Sequence, residues 1–462
     1  MLLYKTHMCS KIELLFRNTR ENIETSRLRS VWLVALAGIS LAAAACAPNT
    51  QVNTSTNTAT ANNQPAVNAN VAQVQPAAPA DNTPITLPVI DAMFSDESFA
   101  GDLKSNVGLT DDQVSKLQQT ARDAVLKLDE SDENASTTAS VKKANEAIKQ
   151  VVGDEKAKQV VDFVRRRWAG SDQGSMLNRP NAVPTDSRIV INAPAYRMDV
   201  FRDGKLEKSY KVGIGYPEFP LPRGMRQAKT IIFNPAWTPP DEPWVKGKFA
   251  PGKKVEAGSK DNPLGPIKIP IGLPSLIHGG KNPAKLGTFA SHGCVGLTNQ
   301  GIEDFAQKIA QLSGDNLTPE DIKTREEDRS KTQEMKLQDP VPVELRYETI
   351  VVDDGKVHIY RDVYELGTNT EDDLRKVLSA YDVEFDQLDQ NVKQQLMDAL
   401  KSMAVDAKGN PVDENDNKDS SSGSKSKKSG KITTTIKGKK EIVVDVPQLA
   451  GKGYPDPVDL MG

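Results

Sequence analysis

Between residues 187 and 360 the chain offers short β-rich runs broken by Pro and Gly, and this texture constrains that stretch most. Arg188-Ile-Val-Ile-Asn192 and Tyr196-Arg-Met-Asp-Val-Phe201 are joined around Pro194, and Asp203-Gly204 follows as a hairpin-turn dipeptide. Ser209-Tyr-Lys-Val-Gly-Ile214, Thr230-Ile-Ile-Phe233, Val341–Tyr347 and Lys356–Tyr360 continue the series. Such short runs, bounded by turn residues, suit strands rather than helices. Ile302, Phe305, Ile309 and Leu312 recur at helical spacing, and the polar stretch after them reads as a loop. A mostly-β domain with one or two helices is therefore expected over 183–365. Within it, 234–270 is rich in Pro and Gly, contains Trp237 and Trp244, and has little periodicity. So long an irregular segment is more often a functional loop than filler.

The chemistry concentrates in Ile277-His278-Gly279-Gly280 and Ser291-His292-Gly293-Cys294-Val295-Gly296-Leu297. A thiol becomes a useful nucleophile when a nearby base or cation favours its thiolate, and histidine suits that task at neutral pH. Flanking glycines let consecutive backbone amides approach one anion, as an oxyanion hole requires. Residue types alone leave three readings open. Cys294 could be a nucleophile served by histidine, an inert cysteine in a Gly-rich turn, or part of a metal site with His278 and His292 that lacks a secure fourth ligand.

His278-Gly279, followed after a short insert by Ser291-His-Gly-Cys294, resembles the signature of bacterial L,D-transpeptidases, the YkuD-type catalytic domain. Val212-Gly-Ile-Gly215, Pro220-Leu-Pro-Arg-Gly224, Asn234-Pro-Ala-Trp237-Thr-Pro-Pro240 and Asp261-Asn-Pro-Leu-Gly-Pro266 look like their counterparts in periplasmic members. The likeness covers about 185–350. It implies a multi-domain chain whose β-sandwich-like catalytic domain is flanked by small α-helical segments. It also implies acyl transfer without cofactor or metal. Cys294 would attack the meso-diaminopimelate–D-Ala bond of a peptidoglycan tetrapeptide stem and form a thioester. His278 would accept the thiol proton, with the Gly279 carbonyl holding its ring. The amides of His292, Gly293 and Cys294 would form the oxyanion hole, Ser291 and the His292 side chain would line the site, and Trp237 would sit on a substrate wall or lid. An amine acceptor gives a 3→3 crosslink or an attached protein. Water gives an L,D-carboxypeptidase or endopeptidase, and a degraded site would leave a peptidoglycan-binding lipoprotein. One departure stands out: many members carry Arg or Asn where this chain has Gly296, which puts substrate choice in question.

The remaining cysteines are placed by the N-terminus. Arg27 and Arg29 precede an apolar run, Val31 to Ala45, that ends at Cys46. At about 15 residues it is shorter than the ~20 needed to span a bilayer and reads as an export signal. Leu41-Ala-Ala-Ala-Ala-Cys46 resembles a lipobox, with Ala43 where Leu is usual, so 1–46 would be removed up to an acylated Cys46 and take Cys9 with it. Residues 47–80 carry no charge before Asp81 and are dominated by Asn, Thr, Ala, Pro and Gln, so 47–87 reads as a disordered tether. This implies an exported envelope protein, lipid-anchored on the periplasmic side, whose partners are stem peptides, the membrane and an acceptor or envelope protein. A net charge of −3 with 26% charged residues gives no basic excess for nucleic acid. Three cysteines exclude a disulfide-dense scaffold.

Residues 88–170 have a helical period. Thr110-Asp-Asp-Gln113 reads as a capping box before Val114, Leu117, Val125 and Leu128. The polar run Ser131–Ser140 interrupts, and further stripes follow at Val141, Ala144, Ile148, Val151 and at Ala157, Val160, Val161, Val164, Trp168. Arg165-Arg166-Arg167 reads as a solvated helix end, and the module as a spacer or interaction unit. Helices are also expected over 370–403, then a flexible linker and tail over 410–462, in which Ile432 to Val446 regains β-character but is too short to be a domain alone. His358 reads as structural.

Overall fold

The structure, a computed structural model, describes residues 83–128, 136–169, 179–238, 253–411 and 436–462. The signal, Cys46 and most of the tether fall outside the described residues, as does the Ser/Lys tract of 412–435.

The central element is an eight-stranded mixed sheet. Its strands are β1 (Arg188–Asn192), β2 (Arg197–Arg202), β3 (Lys205–Lys211), β5 (Gly224–Phe233), β6 (Ile267–Pro270), β7 (Leu276–His278), β9 (Val295–Gly296) and β10 (Gln333–Arg346), in the order β3-β2-β1-β10-β5-β6-β7-β9. Only β1·β10 and β7·β9 run parallel. A two-stranded parallel pair, β4 (Ile214–Gly215) with β8 (Phe289–Ser291), completes the β-structure of this domain. The β2–β3 turn uses Asp203 and Gly204, both at positive φ (48° and 79°), as a two-residue hairpin demands. Helix α6 (Asn299–Leu312) lays Ile302, Phe305 and Ile309 into a core with Ile189, Met198, Tyr210, Phe233, Ile267, Ile277, Phe289 and Val295. The segment expected to loop after α6 instead forms α7 (Pro319–Glu327) and the first half of β10. Thr318 and Asp321 cap α7 reciprocally, and the register of β10 breaks between Lys336 and Val341, around Pro340, where the absent amide of proline is tolerated.

Among the described residues five helices precede the sheet: α1 (Leu87–Met93), α2 (Phe99–Val107), α3 (Asp111–Leu126), α4 (Thr137–Val152) and α5 (Asp154–Ala169). They share one apolar core that includes Ile90, Phe99, Leu103, Leu117, Ile148, Val164 and Trp168. The Thr110/Gln113 capping box is formed. Three expectations need correction. Thr83, Ile85, Thr86 and Leu87 are buried, so the folded part starts before residue 88. Helix α4 begins inside the polar run, at Thr137, because Ser136 caps it. Of the three arginines only Arg166 is exposed: Arg167 pairs with Asp96 and Asp102 and lies over Phe99, and Arg165 reaches the Thr83 carbonyl.

The C-terminal region also departs from expectation. Lys356–Tyr360 (β12) pairs with β11 (Ile350–Asp353) and with β13 (Glu441–Asp445), in a three-stranded sheet separate from the catalytic one. Helices α8 (Glu371–Ser379) and α9 (Gln390–Met403) pack on it through Leu374, Leu378, Leu396 and Leu400. The eight-stranded sheet thus ends near residue 346 rather than 365, and the β-rich part of the C-terminal segment forms β13. Beyond β13 the chain returns to the catalytic sheet: Tyr454 packs edge-on against Phe201, and Ser209 and Lys211 of β3 exchange backbone bonds with Val458 and Met461.

Candidate active site

Parallel pairing of β7 with β9 sets Ile277 opposite Val295 and His278 opposite Gly296. Cys294 closes the bend that leads directly into β9, next to the strand that carries His278, and the Leu276 amide of β7 reaches its sulfur. Both strands are held from outside. The Leu297 amide donates to the His278 carbonyl at 2.8 Å, and Gly213 and Gly296 exchange bonds at 2.9 Å.

The glycines after His278 are required by packing. A Cβ on Gly279 would lie 2.7 Å from Ile302 Cγ2, and Gly280 has φ +79° with its amide donating to Asn299 Oδ1. The first residue of α6 therefore clamps the turn that carries the histidine. His278 is 3% exposed, and its Nδ1–H donates to the Gly279 carbonyl at 2.7 Å, leaving Nε2 as the basic nitrogen.

The loop before the cysteine is closed by Ser291. Its hydroxyl donates to the Cys294 carbonyl and accepts from the Cys294 amide at 2.9 Å. This corrects the expected oxyanion hole, because the Cys294 amide is already engaged. Gly293, at φ +92°, makes the bend between them. The His292 ring sits between the edges of Tyr216 and Phe219, each at 4.9 Å between centroids. The Tyr216 amide donates to the Ser291 carbonyl, so the 216–219 turn and the cysteine loop are one assembly.

That turn also carries the helical module on its other side. Thr86 Oγ1 donates to the Glu218 carbonyl at 2.7 Å and Thr137 Oγ1 to the Pro217 carbonyl at 3.0 Å. Both threonines are buried, and each also caps or opens a helix, α1 and α4.

The electrostatics follow from burial and two lysines. Burial pushes His278 down to about 3, and the Lys281 ammonium adds to this while the Gly279 and Leu264 carbonyls oppose it. His292 is likewise pushed down to about 3 by burial and by Lys281. Burial raises the Cys294 thiol, whereas the Leu276 amide, Lys281 and Lys268 pull it down. At neutral pH the site therefore holds a thiol and an uncharged imidazole.

Trp237 is partly buried and bridges by backbone to Val255, at the base of a loop whose residues 239–252 lie outside the described set. Asn234, at φ 46°, ties that base to the Arg325 and Asp328 carbonyls. His358 is remote from the site in the sheet order: it sits on β12 and pairs with Glu441. No three His, Cys, Asp or Glu side chains converge as a metal cluster among the described residues, and no described helix is long and apolar enough to cross a membrane. Sequence reasoning missed Lys268, Lys281, Tyr216, Phe219 and Asn299. For the aromatic pair the signal was available, since Tyr216 and Phe219 lie in the Pro-rich turn just after Val212–Gly215.

Residues 186–343 match the family described as the L,D-transpeptidase catalytic domain, YkuD. A Bacillus subtilis (strain 168) protein named as a candidate L,D-transpeptidase, YqjB, is 26% identical over 153 residues, 31% of this chain and 80% of its own length. Among solved structures, the catalytic domain of the Enterococcus faecium L,D-transpeptidase is 14% identical over 36% of this chain and 100% of that one, with a TM-score of 0.22. An L,D-transpeptidase from Mycobacterium smegmatis is 16% identical over 35% of this chain, with a TM-score of 0.21, and the match spans 58% of that chain. In another matched L,D-transpeptidase structure the share is about half, 49%.

Proposed function

For a chain that carries an L,D-transpeptidase catalytic domain over residues 186–343, we propose a cysteine acyltransferase of the cell wall. The observation that supports this most is the pairing of β7, which ends on His278, with β9, which Cys294 immediately precedes, beside a glycine turn. His278 takes the thiol proton as the sulfur adds to the carbonyl of a meso-diaminopimelate–D-Ala bond. The Gly293 amide, at the bend, is a donor for the resulting oxyanion. Addition forms the S–C bond; collapse re-forms the carbonyl and breaks the C–N bond, the proton passes from His278 to the departing D-Ala amine, and a thioester remains. An acceptor amine then displaces the sulfur and returns its proton to the thiol through His278. An amine on a second stem peptide gives a 3→3 crosslink, an amine on a protein attaches that protein to the wall, and water gives the tripeptide. Upstream, Cys46 would carry the lipid and 47–82 the tether, holding the enzyme on the periplasmic side of a membrane. Loss of detergent-phase partitioning in Cys46→Ala would support the anchor, and unchanged partitioning would rule it out.

Incubation of the protein with disaccharide-tetrapeptides tests the reaction. Dimers with loss of D-Ala are expected from the native chain and none from Cys294→Ala. Tripeptide without dimer would instead assign a hydrolase, and unchanged substrate would refute acyl transfer. Because burial holds His278 near 3, the imidazole stays uncharged above about pH 4. The acid limb of kcat/KM should accordingly fall below pH 5, and an acid limb centred near 6.5 would contradict the structure.

A further inference from the structure

The Lys281 backbone is fixed by its amide, which donates to the Leu297 carbonyl at 3.0 Å. From there the side chain lies across Gly296. A Cβ built on Gly296 would stand 2.6 Å from Lys281 Cε, 2.7 Å from Cγ and 3.1 Å from Cδ. The lysine stem therefore occupies the space that any other residue at 296 would fill. Gly296 is two residues past Cys294 and directly opposite His278, so the stem lies at the strand position paired with the histidine. No carboxylate pairs with Lys281 among the described residues, and its charged neighbours are Cys294, whose thiolate would favour the ammonium, and Lys285, which opposes it. The other groups facing this corner are the His278 and His292 rings and Lys268, which lies opposite His278 on β6.

We propose that Lys281 is a positioning residue whose ammonium, carried over Gly296, is the resident counter-charge for the thiolate of Cys294. A half-buried cation without an acidic partner is disfavoured, and a transient anion beside it relieves that cost. The arrangement favours the charge-separated states of acyl transfer while keeping both imidazoles neutral. Glycine at 296 is then a requirement of the site. The inference rests on the cysteine acyltransferase reading.

The test is the pH profile of Cys294 alkylation by iodoacetamide in the full chain, read by mass on the Cys294 peptide, so that no cell-wall substrate is needed. Lys281→Met keeps the stem packed on Gly296 and removes the charge. Its profile should shift about one unit toward alkaline pH, about tenfold slower at pH 7. Lys281→Arg should restore the native profile. Gly296→Ala, which displaces the stem, should behave like Lys281→Met. A Lys281→Met profile that overlays the native one, with a reactive thiol, would overturn this inference and leave the acyltransferase reading standing. A Cys294 inert at every pH in the native chain would overturn both. Should Lys281→Met fail to fold, the Gly296→Ala profile decides: a native profile there refutes the proposal.

Discussion

The helical module meets the catalytic domain at the wall of the site, through Thr86 and Thr137, whereas the segment from Tyr454 to Met461 meets it along β3, at the opposite edge of the sheet from β7 and β9. The first contact consists of two buried hydroxyls holding the carbonyls of a Pro-rich turn. The second is built from strand-like backbone exchange, the Phe201–Tyr454 ring contact and buried charge. A turn such as Tyr216-Pro-Glu-Phe219 has few backbone bonds of its own, so its shape depends on what is packed against it. Changes in the helical module should therefore reach the chemistry, and changes in the contact along β3 should reach stability alone.

The largest effect is expected where the C-terminal contact is charged. Glu344 is 1% exposed and accepts from both Arg188 and Arg346, while Arg346 also lies over Tyr454. Glu344→Gln should lower unfolding free energy by about 3 kcal/mol, because it leaves buried guanidinium groups undercompensated. Denaturant melts would show this, with the Cys294 alkylation rate of the folded protein unchanged. A comparable loss of rate would break the distinction between the modules. Thr86→Val with Thr137→Val should cost about 1 kcal/mol of stability per hydroxyl. It should also slow Cys294 alkylation several-fold by loosening the His292 wall, and full reactivity in that variant would show the turn to be self-supporting.

The smallest effect is a pH dependence confined to the C-terminal contact. Burial, with a hydrogen bond and repulsion from Asp456, raises Asp353 to about 6. A carboxyl whose folded value is raised binds its proton more tightly in the native state. Its contribution is therefore fully present below about pH 4 and is lost as pH rises through 6. Proteolysis of the last residues should be slower at pH 5 than at pH 8. Asp353→Asn should flatten that difference, and a difference that survives would assign it elsewhere.

The reacting residues were legible in the sequence because cysteine, histidine and glycine carry their chemistry locally, within His278–Gly280 and Ser291–Leu297. The hairpin at Asp203-Gly204, the Thr110 capping box and the stripe of α6 were legible for the same reason: each rule acts over a few residues. What escaped depends on distant partners. β7 and β9 are three and two residues long, too short to show a period. The β-character around β13 was legible, but its pairing was not, because its partner β12 lies some 80 residues earlier in the chain. α1 was hidden by a composition that continues the tether, although Thr86 followed by Leu87-Pro88 is a helix start. Lys281 had no signature at all, because its role depends on the side chain that Gly296 lacks.

The return of Val458–Met461 to β3 has a consequence for how the protein behaves in solution. β3 ends the eight-stranded sheet, and an uncovered terminal strand offers its amides and carbonyls to any other extended chain. Here the last residues of the same polypeptide take that place, with Ser209 and Lys211 bonded to Val458 and Met461. The chain is its own edge guard. A version shortened by those few residues should remain folded around Cys294 and become prone to self-association, so trimming the C-terminus to ease handling would have the opposite effect.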